Sequence, residues 1–151
     1  MASFTLVREI GAPPEVVFDV LTDHRRYSEL TPLRKSELER EGEPAPNGVG
    51  SIRVLTLAGP PMREETILYE RPSRFSYTVL SGLPVRDHVG TVSLEPAAGG
   101  GTAVTYALRT TPTVPLAGGV VVALIKRAIV QLLDGVAAES ERRAPAAGSP
   151  A

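Results

Sequence analysis

Hydrophobic and polar positions change rhythm twice along this chain. Phe4-Thr5-Leu6-Val7-Arg8-Glu9-Ile10 has the loose alternation of a first strand. Gly11-Ala12-Pro13-Pro14-Glu15 follows. A proline pair with an acid suits the first turn of a helix, where the missing N–H costs nothing and the dipole favours negative charge. Val16, Val17, Val20 and Leu21, with Phe18 beside them, predict a short helix to about Thr22. Asp23 to Leu30 predicts a second short helix, stopped by Pro32. From Leu33 onward the texture is that of strands. Leu33–Arg40, Ser51–Leu57, Met62–Tyr69, Arg74–Leu80, Asp87–Leu94 and Thr102–Thr110 are short β-rich runs between Pro- and Gly-rich turns. Strands at hairpin spacing predict an antiparallel meander. The last segment has a helical period. Val121, Ile125, Ala128, Leu132 and Val136 share one face, and Leu124 and Ile129 widen it. Lys126, Arg127, Gln131 and Asp134 lie off that face, so one long amphipathic helix is expected over Val120–Glu139.

The predicted class is therefore α+β. A seven-stranded antiparallel sheet curves around a long C-terminal helix, and two short helices follow the first strand. A one-sided sheet and an amphipathic helix must bury their apolar faces against each other. Residues 1–143 make one domain, and the low-complexity tail 144–151 is expected to be disordered.

Composition narrows the function classes. The 151 residues contain no cysteine, which removes disulfides and thiolate chemistry. The net charge of -1 leaves no basic excess for phosphates, so nucleic acid is not an expected partner. Met1 to Ile10 lacks the apolar core of a signal peptide. The longest uncharged stretch, Thr110 to Ile125, contains Pro112, Pro115, Gly118 and Gly119 and is too short to span a bilayer. These features predict a soluble cytoplasmic protein without membrane insertion, either monomer or homodimer.

Four segments in this order carry a resemblance. They are Ala12-Pro13-Pro14-Glu15-Val16-Val17-Phe18, Tyr27-Ser28-Glu29-Leu30-Thr31-Pro32, Glu70-Arg71-Pro72-Ser73-Arg74-Phe75-Ser76-Tyr77 and Gly100-Gly101-Thr102-Ala103-Val104-Thr105-Tyr106. With the C-terminal helix they resemble the START-like (SRPBCC) superfamily, in particular its polyketide cyclase/dehydrase-like members. Tyr27 and Tyr106 stand where that family usually has Trp. The resemblance covers about Phe4 to Arg143. It implies a helix-grip fold with a cavity for lipids, polyketides or other apolar molecules. It does not specify the ligand.

Strand parity suggests which side chains enter such a cavity. Phe75, Tyr77 and Val79 share one face. His88, Gly90, Val92 and Leu94 share another, as do Val104, Tyr106 and Leu108. In the fourth strand Arg63, Glu65, Ile67 and Tyr69 have common parity, so Glu65 and Tyr69 are candidates. Glu65 would need a partner such as Arg53, whose own phase is ambiguous; such a Glu more often faces solvent. Leu124 and Ala128 are the expected lining on the helix. His88 is the candidate acid or base, because histidine titrates near neutrality. A lining histidine that only sets polarity is the commoner role. Asp87, next in sequence, points the other way in a strand and is a poor orienting partner. Tyr77 and Tyr106 offer hydroxyls to a ligand oxygen. His24, Arg25 and Arg26 read as surface residues, at most at the cavity mouth. Two histidines without paired carboxylates make a weak metal site, and no cofactor is expected. No phosphate-binding Gly-Lys-Ser/Thr loop and no Gly-x-Ser-x-Gly elbow occurs. The leading expectation is a binder of a hydrophobic small molecule or lipid. The alternatives are a polyketide aromatase/cyclase or dehydratase using His88, and a toxin-like member acting through protein interaction.

Overall fold

The computed structural model of the chain describes residues 1–144; the expected tail beyond Ala144 lies outside the described residues. Strand β1 (Ala2–Ile10) leads into α1 (Pro14–Thr22), a 3-10 turn (His24–Arg26) and α2 (Tyr27–Leu30). Then come β2 (Lys35–Arg40), β3 (Ile52–Thr56), β4 (Met62–Glu70), β5 (Arg74–Ser81), β6 (Val85–Pro96) and β7 (Thr102–Pro112). Helix α3 (Gly118–Arg143) follows the last strand. All seven strands form one antiparallel sheet in the order β1-β7-β6-β5-β4-β3-β2. The architecture is the α+β helix-grip that the sequence predicts.

Local chemistry explains the element ends. Pro14 opens α1 where an N–H would be orphaned anyway, with Glu15 in the first turn. Gly99, at φ 74°, supplies the left-handed residue that turns β6 into β7. Helix α3 is longer than expected, 26 residues or about 39 Å.

The buried stripe of α3 also differs from the expected one. Ile129, Leu133, Val136, Ala137 and Ser140 are buried, whereas Ala128 is exposed and Val121, Ile125 and Leu132 are only half-buried. The C-terminal half of α3 therefore packs into the core with α1 and the inner sheet face. Asp134 on that half also pairs with Arg8 of β1. From Gly118 to Ala128 no residue is buried, so the N-terminal half leaves room beneath it.

Four register shifts interrupt the ladder. They fall between Leu38 and Arg40, Arg63 and Glu64, Thr66 and Leu68, and Arg86 and Val89. Each adds a residue to one strand and bends it. The shift at Ile67 decides the polar interior. Thr66 lies opposite Tyr77 and Tyr69 lies opposite Phe75, so both face inward although they are three positions apart, an odd spacing. Unbroken parity from Tyr69 selects Glu65, but the extra residue reverses the phase and turns Glu64 inward instead.

Candidate functional site

A cavity of about 320 Å³ lies between the inner sheet face and α3. Its inner end is formed by Arg53, Glu64, Phe75, Tyr77, His88 and Tyr106. Its mouth is formed by Leu57, Ala58, Pro60, Leu83, Leu124 and Ala128. The segment after α1 closes one side with Tyr27 and Leu33.

Arg53 is only 1% exposed. Its Nε donates to Glu64 Oε1 at 2.9 Å, and its Nη1 donates to Thr66 Oγ1 at 2.8 Å. The guanidinium carbon lies 5.0 Å from the Tyr77 ring centre and 5.4 Å from that of Phe75, within cation–π range. Burial pushes the Glu64 carboxyl up, and the adjacent guanidinium opposes that shift. The pair thus neutralises two charges that an apolar interior would otherwise reject.

Tyr77 and Tyr106 face each other across β6 and their hydroxyls are hydrogen-bonded together. Burial raises both phenols above their ordinary value, so both stay neutral. His88 follows the bulge at Asp87, which sits at φ 51° and points its carboxylate to solvent. The bulge leaves His88 in phase with Gly90 and Val92 on the inner face. Its Nδ1 pairs with Thr110 Oγ1 at 3.0 Å, and burial lowers its pKa to about 4. His88 is therefore uncharged at neutral pH.

Six of the expected residues meet at one cavity: Arg53, Tyr77, His88, Tyr106, Leu124 and Ala128. Four do not. Glu65 is on the outer face and pairs with Arg40 at 3.0 Å, for the register reason given above. Val92 is wholly buried in the core, between Phe75 and Tyr106 in register. Val79 is half-buried opposite Glu64 and outside the lining. Tyr69 packs edge-on against Phe18, ring centres 5.1 Å apart.

His24 is also misplaced by the sequence reading. It is fully buried, not at the surface, and packs edge-on against Tyr27 and tilted against Phe75, with ring centres 5.2 and 5.5 Å away. Arg25 and Arg26 are more exposed, as expected, and pair with Glu41 and Glu29. The segment runs as a tight 3-10 turn, which rolls His24 inward. Glu64 and Tyr27 are two polar lining residues that sequence reasoning missed, besides apolar ones such as Leu33, Leu57 and Leu83. A Glu-Glu pair opposite an arginine of unknown phase is the only sequence signal for Glu64.

Burial holds His24 well below its ordinary pKa, and the nearby Arg53 charge adds to this. Both histidines are thus neutral when folded but take up protons near pH 6.5 when unfolded. Their contribution is complete above that pH and is lost as pH falls below it, for His88 down to about 4. Each is expected to cost up to about 1.4 kcal/mol of stability per pH unit in this window. Urea unfolding at several pH values should show a flatter slope for His24→Asn and for His88→Asn than for the parent. Equal slopes would contradict the assignment.

Similar folds occur in solved structures. A START superfamily protein from Mycobacterium smegmatis superposes with a TM-score of 0.75 at 14% identity, covering 93% of this chain and 97% of that one. The XoxI protein from Bacillus cereus gives 0.74 at 17% identity, with 93% and 96% covered. TTHA0849 from Thermus thermophilus gives 0.65 at 24% identity, with 98% and 100% covered. No protein of curated function matches the chain by sequence. The model of one family, described as polyketide cyclase / dehydrase and lipid transport, matches residues 1–141. With that match over nearly its whole length, the chain belongs to the polyketide cyclase/dehydrase and lipid transport family.

Proposed function

We propose that the protein binds a neutral, mostly apolar small molecule or lipid in the cavity between its sheet and α3. The observation that carries this reading is the polar end of the cavity, which is already balanced. Among the described residues Arg53 is the one cation in the lining, and Glu64 and Thr66 occupy it. An anionic head group would find no free charge there, and burying it would be costly. A neutral ligand oxygen meets the Tyr77 and Tyr106 hydroxyls and the His88 ring instead. The volume is near the lower end of the roughly 300–1,000 Å³ usual for ligand sites, which favours one ring system or a short chain.

The chemistry for a polyketide cyclase or dehydratase is less favourable. A base works best with a pKa near the working pH, and His88 is held at about 4. An acid role at neutral pH would need a proton that His88 does not carry. The binding reading therefore leads.

The test is a titration of the purified protein with N-phenyl-1-naphthylamine, a neutral fluorescent probe. Saturable micromolar binding is expected. Ala128→Trp should weaken it roughly ten-fold by filling the mouth, with an unchanged unfolding midpoint. Probe fluorescence that never saturates, or that ignores Ala128→Trp, would remove the support for a ligand cavity.

A further inference from the structure

The topology gathers an uncharged apolar rim at one end of the sheet. The β3–β4 loop Leu57–Pro61, the β5–β6 loop Gly82–Pro84 and the β7–α3 loop Thr113–Ala117 all leave strands at that end, and the first turns of α3 follow the last of them. Leu57, Val120 and Leu124 are more than half exposed, and Leu116 is fully exposed. Leu57 and Leu124 also line the cavity mouth, so the apolar rim and the opening are one feature. Isolated exposed leucines are ordinary, but a contiguous group around an opening marks a contact surface.

Charge indicates what the surface meets. None of the three loops carries an acid, and from Pro96 to Leu133 the chain contains no Asp or Glu. Cations flank the rim: Arg34 and Lys35 where β2 begins, Arg86 where β6 begins, and Lys126 and Arg127 on α3. The acids beside them are Glu37, next to Lys35, and Asp87, next to Arg86. The opposite end of the sheet has no such margin: its acids Glu9, Glu41, Glu43, Glu70 and Glu95 are interleaved with Arg8, Arg40, Arg71 and Arg74, and Glu70 pairs with Arg74. An apolar centre with a basic margin matches a bilayer whose head groups are anionic.

We propose that this end of the protein docks on the surface of an anionic lipid bilayer, with the cavity mouth facing the membrane. The contact is peripheral, since no helix among the described residues is long and apolar enough to cross a membrane. Leu116 and Val120 enter the head-group layer while the flanking Lys and Arg meet lipid phosphates. The route by which a poorly soluble ligand enters the cavity then bypasses water. That last step rests on the binding function proposed above; the docking itself does not.

The full chain should co-sediment with vesicles of phosphatidylcholine mixed with phosphatidylglycerol, and weakly with phosphatidylcholine alone. Added salt should reduce the binding. Leu116→Asp with Val120→Asp should weaken it roughly ten-fold or more, whereas Val7→Asp, an exposed apolar residue in mid-β1, should not. Neither Leu116 nor Val120 lines the cavity, so uptake of N-phenyl-1-naphthylamine without vesicles should be unchanged in that variant. Uptake of the probe without vesicle binding would overturn the docking surface and leave the cavity function standing. Vesicle binding without probe uptake would do the reverse. A dimer that Leu116→Asp dissociates, with no vesicle binding, would assign the rim to a second copy and overturn the proposal.

Discussion

Replacing Arg53 by methionine is expected to lower the unfolding free energy by about 3–5 kcal/mol at neutral pH. The loss is not the worth of the ion pair. It is the cost of leaving the Glu64 carboxylate, only 7% exposed, without a counter-charge, and of removing a donor to Thr66. Urea unfolding with an unchanged slope would measure it. The double variant Arg53→Met with Glu64→Leu should recover most of the loss, because a buried pair replaced by apolar groups of similar size is often neutral. The single variant should also have a characteristic pH dependence. Burial already pushes Glu64 upward, and removing the guanidinium releases what opposed that shift. Glu64 can then fold protonated, which favours the folded state below its ordinary value and is lost as pH rises. The deficit should therefore shrink as pH falls toward about 5. A single variant within about 1 kcal/mol of the parent would mean that the interior is wetter than its geometry implies.

The same pair shows where sequence reading stops. Periodicity places every strand and helix, because burial on one face leaves a period of two or 3.6 that survives without contacts. It also recovers Tyr77 and Tyr106, which lie in paired stretches of β5 and β7, and His88, which sits on the Val92 side of the bulge at Asp87 and so keeps the phase of Gly90 and Val92. It fails at Glu65 because a bulge has no reliable sequence signal, and one extra residue at Ile67 inverts the phase. It fails at His24 for a different reason. Asp23-His24-Arg25-Arg26 reads as a polar surface turn, and only tertiary packing against Phe75 and Tyr27 tells which of the four turns inward. Arg53 stays open between two phases because apolar residues flank it on both sides in β3. Ile52 and Leu55 are both buried, so composition cannot choose. Polar residues inside a cavity are thus the least legible part of the fold, since they break the pattern from which the fold is read.

Gly90→Ala is expected to abolish probe binding and to destabilise the protein by about 1–3 kcal/mol. Gly90 lies opposite Tyr77 in register, on the inner face of β6. A Cβ there would come within 2.5 Å of the Tyr77 Cζ and 2.7 Å of its hydroxyl. Such a contact is inexpensive only where the ring has somewhere to go. The Tyr77 ring is bounded by Phe75 at 5.9 Å, His88 at 6.0 Å and Tyr106 at 6.3 Å between ring centres, with the Arg53 guanidinium on one face. The free side is the cavity. A methyl group at position 90 must push the phenol into it, away from the Tyr106 hydroxyl, so it fills the site and opens the tyrosine pair together. The two effects can be separated by removing the obstructing ring. Tyr77→Ala in the Gly90→Ala background should cost less than the sum of the two single changes, with a coupling of roughly 1 kcal/mol or more. It should also restore some probe binding, because the methyl group then points into space that the ring has vacated. Strict additivity of the two changes, or full probe binding by Gly90→Ala alone, would show that Tyr77 does not form the inner wall of the site.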